Sequence, residues 1–165
     1  MKGAIASAIV GSAAGILGLV RSSGYATPSV PLRSLSPAEY EIVKHVARRV
    51  CAPDAEGVVT ADDTDVAGFV DAYVANMPRR MKRDLRRFFS FIEQVAPVLE
   101  GRAARFTRLS PDDQDAVLAS LESHSSELLR GGFEGLKALL FMGYYRDART
   151  WGVIGYDGPL IGRTP

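Results

Sequence analysis

Twice this chain writes the same helix-opening phrase, and that phrase limits its fold more than any other feature. Ser36-Pro37-Ala38-Glu39 is a capping box with proline at the first helical position. Ser110-Pro111-Asp112-Asp113 repeats the cap and the proline, and sets acids in the first turn, where the helix dipole favours them. After each start the apolar residues recur at helical spacing: Tyr40, Val43, Val46, Ala47 and Val50 in one case, Val117, Leu118 and Leu121 in the other.

The remaining stretches read the same way. Val66, Phe69, Val70, Tyr73, Val74 and Met77 give a stripe over Asp65 to Asn76, closed by Pro78. Leu85, Phe88, Phe89, Ile92, Val95, Ala96 and Leu99 give a third helix, which Pro97 should kink or end and Gly101 should stop. A fifth helix is expected from Ser125 to Tyr144, with Leu128, Leu129, Gly132, Phe133, Leu136, Leu139, Leu140 and Gly143 on one face. Its glycines would let a neighbour approach closely. No strand pair, internal repeat or low-complexity tract is evident. The expectation is an all-α, compact bundle of about five helices over residues 36–165, with an irregular C-terminal tail.

At 165 residues the chain is long enough for one domain with a real core. Its 20 basic and 19 acidic residues give a net charge of +1, which offers no global attraction to nucleic acid or to an anionic membrane. The strongest local charge is basic: Arg79, Arg80, Lys82, Arg83, Arg86 and Arg87. With no recognition module and no interleaved aromatic platform, these read as the wet side of a core helix or as a contact for an acidic protein, and no nucleic-acid partner is expected. The single cysteine, Cys51, cannot form an internal disulfide and reads as a small buried hydrophobe.

Residues 1–26 form a separate unit. Gly3 to Val20 carries no charge, Lys2 precedes it and Arg21 ends it. As a helix it would be roughly 27 Å long, just short of a bilayer's hydrocarbon core. A cleavable export signal ending near Gly24-Tyr25-Ala26, an uncleaved membrane anchor, and a helix buried or docked on a partner all remain open. The first two place the protein in the periplasm or cell envelope, membrane-associated. No twin-arginine pair precedes the run. Residues 27–35 continue as an extended, proline-containing linker.

Reactive chemistry is sparse. His45 and His124 both sit in helical patterns, no Cys or His cluster has metal spacing, and no CxxCH motif would attach a haem. The acidic loop Asp54 to Asp65 lacks EF-hand spacing and its closing Glu. No glycine-rich phosphate loop follows a strand, and no serine lies in a nucleophile elbow. No catalytic, metal or cofactor residue is assigned. The tail Trp151-Gly-Val-Ile-Gly-Tyr-Asp-Gly-Pro159 instead combines large amphipathic aromatics with glycines, as interface anchors do.

The order of these blocks resembles a known family. Leu35-Ser-Pro-Ala-Glu-Tyr40, then Ile42 to Val50, Val66 to Tyr73, Phe106-Thr-Arg-Leu-Ser-Pro111, Gly143 to Asp147 and the W-x-x-I-G-Y-x-G-P tail are similar to subunit 3, the small or gamma subunit, of membrane-associated gluconate and glucose dehydrogenases. The family's usual Gly-Tyr-Pro-Gly tail has Asp157 in place of the proline here. The resemblance implies a non-catalytic subunit that aids maturation, stability or export of a large flavoprotein of the glucose-methanol-choline type. That partner would hold FAD and oxidise a sugar or other alcohol, and a cytochrome c subunit often takes the electrons. Tyr144, Tyr145, Trp151, Tyr156, Asp157, Gly158 and Pro159 are the expected partner interface. The alternative is a membrane-anchored helical adaptor unrelated to redox chemistry.

Overall fold

The computed structural model describes residues 24–51 and 57–159. The apolar run expected as a signal or anchor lies outside the described residues, apart from its proposed end at Gly24-Tyr25-Ala26, and so does Pro53. The described residues are all helical or irregular, with no strand, as expected.

Helix α1 (Pro37–Val50) opens on the capping box: Ser36 Oγ accepts from the Glu39 amide at 3.3 Å, and the Ser36 amide donates to Glu39 Oε2 at 2.7 Å. Arg48 and Arg49 lie in its last turn, where the dipole favours cations. It buries Tyr40, Ile42, Val43, Val46 and Ala47. Helix α2 (Val66–Ala75) is capped by Asp65, whose carboxylate accepts from the Gly68 amide at 3.1 Å. Asp65 sits at φ 49°, a left-handed conformation that Asp tolerates through local hydrogen bonding.

Helix α3 (Arg79–Ser90) runs on through a π-helical stretch, Phe91–Val95, into the short α4 (Ala96–Leu99). Pro97 does not end the helix, one of the two outcomes expected of it: the helical path passes through it to Leu99. The widened turn, closed by the Ala96 amide on the Phe91 carbonyl, is how the chain accommodates a proline that cannot donate. One extra residue also rotates everything beyond it by about 100°. Val95 and Leu99, expected in the core, are therefore 43% and 61% exposed, while Ala96 is buried as expected and Pro97 is buried beside it.

Helix α5 (Pro111–Glu122) follows a 3-10 turn at Phe106–Arg108, and Ser110 Oγ caps it through the Asp113 amide at 3.2 Å. Helix α6 (Glu127–Tyr145) is the longest among the described residues. Gly143 admits α2: an ideal Cβ there would stand 2.9 Å from Phe69 Cδ1. Helix α1 packs on α2, α2 on α6, and α5 on α6, around Phe89, Ile92, Phe106, Leu121, Phe133, Leu136 and Leu140. No helix among the described residues is long and apolar enough to cross a membrane.

Residues 27–35 are irregular, with bends at 29–30 and 33–34, and the chain is held against the bundle at their end and just before their start. The backbone amides of Arg33, Ser34 and Leu35 donate to the Asp71 carboxylate at 2.6, 2.9 and 2.7 Å. Upstream, Tyr25 reaches the buried Glu93 carboxylate.

Candidate partner-docking surfaces

The tail is ordered by its indole. Asp147 caps a 3-10 helix, Ala148–Ile154, by accepting from the Arg149 amide, and Thr150 is buried beneath it. The tail expected to be irregular thus contains a regular turn, because a short run of i→i+3 bonds needs only a cap and a stop. Gly155, at φ 64°, supplies the stop. Trp151 Nε1 then donates to the Tyr145 carbonyl at 2.8 Å, using a carbonyl from the end of α6. Tyr156 packs edge-on to the indole with ring centroids 5.1 Å apart. Gly158, at φ 97°, crosses the ring so closely that a Cβ would lie 3.1 Å from Trp151 Cζ3.

These contacts sort the expected interface residues. Tyr144 is 1% exposed and its hydroxyl donates to the Val59 carbonyl, so in the free chain it is a core residue. Tyr145 is half-buried, edge-on to Tyr144 and tilted against Phe141. Trp151 is half-buried and Gly158 is buried under it. Tyr156, Asp157 and Pro159 are exposed, together with Val153 and Ile154, which sequence reasoning had not singled out.

A second apolar surface lies between two helices. Helices α3 and α6 diverge and leave an apolar groove of about 710 Å³. Its floor is Leu136, Leu139 and Phe88, and Phe88 nests against Gly132, where a Cβ would stand 3.1 Å from the ring. Its rims carry Tyr73, Met81, Leu128 and Met142, which are 41%, 54%, 83% and 52% exposed. Leu128 was expected on the buried face of the fifth helix, and Tyr73 on that of the second; both instead border this groove. Met77, Met81 and Met142 line it, and the chain has four methionines in all. A basic opening of about 740 Å³, lined by Arg79, Lys82, Arg83, Arg86 and Arg87, runs beside it, and the two share Arg87 and Phe91.

The titratable interior is structural. Glu93 accepts from Tyr25 Oη at 2.7 Å and from the Thr107 hydroxyl and amide at 2.7 and 3.1 Å, with Arg105 Nε 3.4 Å away. The Arg105 guanidinium also covers the Tyr25 ring at 4.1 Å. Burial, reinforced by Glu93, raises the Tyr25 hydroxyl far above its usual value. His45 Nδ1 meets Gln114 Nε2 at 3.0 Å, and burial together with Arg48 pushes the imidazole below its ordinary value. His124 Nδ1 accepts the Ser126 amide at the start of α6. Burial pushes the Cys51 thiol up to about 12. Among the described residues no three His, Cys, Asp or Glu side chains are grouped to hold a metal.

The model of one family, gluconate 2-dehydrogenase subunit 3, matches residues 37–158. The chain belongs to that family. Neither a curated protein nor a solved structure matches it. The gluconate 2-dehydrogenase subunit 3 match starts at the proline of the first capping box and ends at the glycine beneath the indole. It covers the groove and the tail as far as Gly158, whereas Tyr25 and residues 27–35 lie before it and Pro159 after it. The segment W-x-x-I-G-Y-x-G acquires a physical reading here: Trp151 ties the tail to α6, Gly155 ends the turn, and Gly158 lets the chain cross the ring.

Proposed function

We propose that this chain is the non-catalytic accessory subunit of a flavin-dependent dehydrogenase complex. It supports maturation, stability or export of a large glucose-methanol-choline-type flavoprotein that oxidises a sugar or other alcohol. The observation that carries the reading is the family match over residues 37–158, nearly the whole described chain. Two exposed apolar surfaces on so small a bundle support it, since contiguous patches of this kind mark contact with other proteins.

FAD belongs to the large subunit in this reading. The described residues of this chain offer helices and open grooves, without the strand–turn–helix unit that commonly cradles a dinucleotide pyrophosphate. A cytochrome c subunit is a further member of the complex. The apolar run Gly3 to Val20 behind Lys2 supports a place in the periplasm or cell envelope, at the membrane.

The test is purification of the tagged full chain from its own cells. The expected result is a yellow complex with a flavoprotein that oxidises a sugar or alcohol, while the isolated chain turns over none. Purification of the chain alone, or with partners that carry no flavin, contradicts the reading.

A further inference from the structure

We infer that the groove between α3 and α6 receives an amphipathic helix of the flavoprotein partner, its apolar face seated in the groove and acidic residues flanking it along the arginines of α3. The inference rests on the accessory-subunit reading and says which surface and which chemistry that reading uses.

The groove has the shape of a helix seat. Along α6, Leu128, Gly131, Gly135, Ala138 and Met142 recur at three- and four-residue spacing, as in a seam that packs another helix. Gly131 and Gly135 have no neighbour within 4 Å of an added Cβ, so packing among the described residues does not require them. Both lower helix propensity, and what they provide is room for a second backbone to come close. The methionines Met77, Met81 and Met142 supply a surface that adapts to the incoming side chains.

Charge specifies the flank. Helix α3 carries six basic residues against one acid, Asp84, over Arg79–Ser90. Its first turn has no acid and its N-cap, Pro78, offers no side-chain bond, although this is the positive end of the helix dipole. Stability of the free chain favours the opposite arrangement. Arg83 and Arg87 are 62% and 72% exposed at the side chain, and their one shared partner, Asp84, is 4.0 and 3.7 Å away. A row of acids on a docked helix neutralises this run and gains from the dipole as well.

The experiment places the photo-crosslinker p-benzoylphenylalanine at Ala138 in the groove and, separately, at Tyr156 in the tail of the full chain in its own cells. The expected result is a crosslink from position 138 to an acid-flanked amphipathic segment of the flavoprotein. Its yield should fall at least tenfold in Gly135→Leu and in the Arg83→Glu, Arg87→Glu double variant, while thermal melting of each free chain stays unchanged or rises. Crosslinking to the flavoprotein from Tyr156 alone overturns the groove and leaves the accessory role standing. A crosslink from 138 to a second copy of this chain, or binding of the free chain to phosphatidylglycerol vesicles with no protein crosslink at 138, also overturns it. No flavoprotein at either position overturns the accessory-subunit reading itself.

Discussion

The Tyr25 hydroxyl donates to the Glu93 carboxylate at 2.7 Å across 68 positions of sequence, fastening the leading segment to the π-helical turn at the centre of the bundle. That turn is the one the chain adopts before Pro97, and it places Glu93 at 1% exposure. A buried carboxylate at such a depth needs partners, and Tyr25, Thr107 and Arg105 supply them.

Removing the hydroxyl tests the fastening. Tyr25→Phe is expected to cost about 1 kcal/mol of stability, the net value of one part-buried hydrogen bond, because Thr107 and Arg105 still serve the carboxylate. Amide hydrogen exchange over residues 24–35 should rise more than exchange in α1, since the loss is local to the segment. Equal exchange over residues 24–35 in wild type and Tyr25→Phe would contradict the fastening.

Asp71 makes the second attachment and carries a pH signature. Burial alone raises its carboxyl, yet the amides of Leu35, Arg33 and Ser34 outweigh it and hold the group below its ordinary value. Its stabilisation is therefore complete above the unfolded value of about 3.9 and is lost as pH falls through the depressed folded value. Asp71→Asn is expected to cost about 2 kcal/mol at neutral pH, as loss of charge-assisted bonds does. Stability of wild type and variant, measured by denaturant titration, should converge as pH falls below about 4.

The tail can be followed through the chain's single tryptophan. Gly158→Ala places a side chain at φ 97° and 3.1 Å from the indole, so it should lift the last residues off the ring. The backbone cost alone is about 1–2 kcal/mol. A red shift of the fluorescence is expected with little change in the melting of the helices. A spectrum identical to wild type would show that Gly158 does not pack on Trp151.

Cys51 is 4% exposed, and its thiol is held up to about 12 by burial. It should stay protonated and unreactive toward disulfide reagents at pH 8, and label only at the rate of global unfolding. Rapid labelling under native conditions would place it at the surface instead.

The helices were legible because local signals write them. Ser36 and Ser110 cap where the sequence says they do, and Val117, Leu118 and Leu121 are buried as their spacing requires. The π-helical turn had no such signal. It shifted the helical phase and sent Val95 and Leu99 outward. The groove was half legible: the glycines of the fifth helix announced a close approach, and Gly132 and Gly143 do receive Phe88 and Phe69. Leu128 shared their face by periodicity, but no element among the described residues covers the start of α6, and it stands 83% exposed there. The attachments of Tyr25 and Arg33–Leu35 join residues more than 35 positions apart, and no periodicity reports such a pairing. In the tail, aromatic content alone could not separate Tyr144, which faces inward, from Tyr156, which faces out.

A flavoprotein that depends on this chain, as proposed, should fail to accumulate without it. The direct measurement is the amount of flavin-loaded dehydrogenase accumulated in cells that make the large subunit with and without it. Loaded enzyme is expected to fall at least tenfold in the absence of this chain and to return when the full chain is supplied in trans. Equal amounts of active, flavin-loaded and correctly located enzyme in both cells would contradict that dependence.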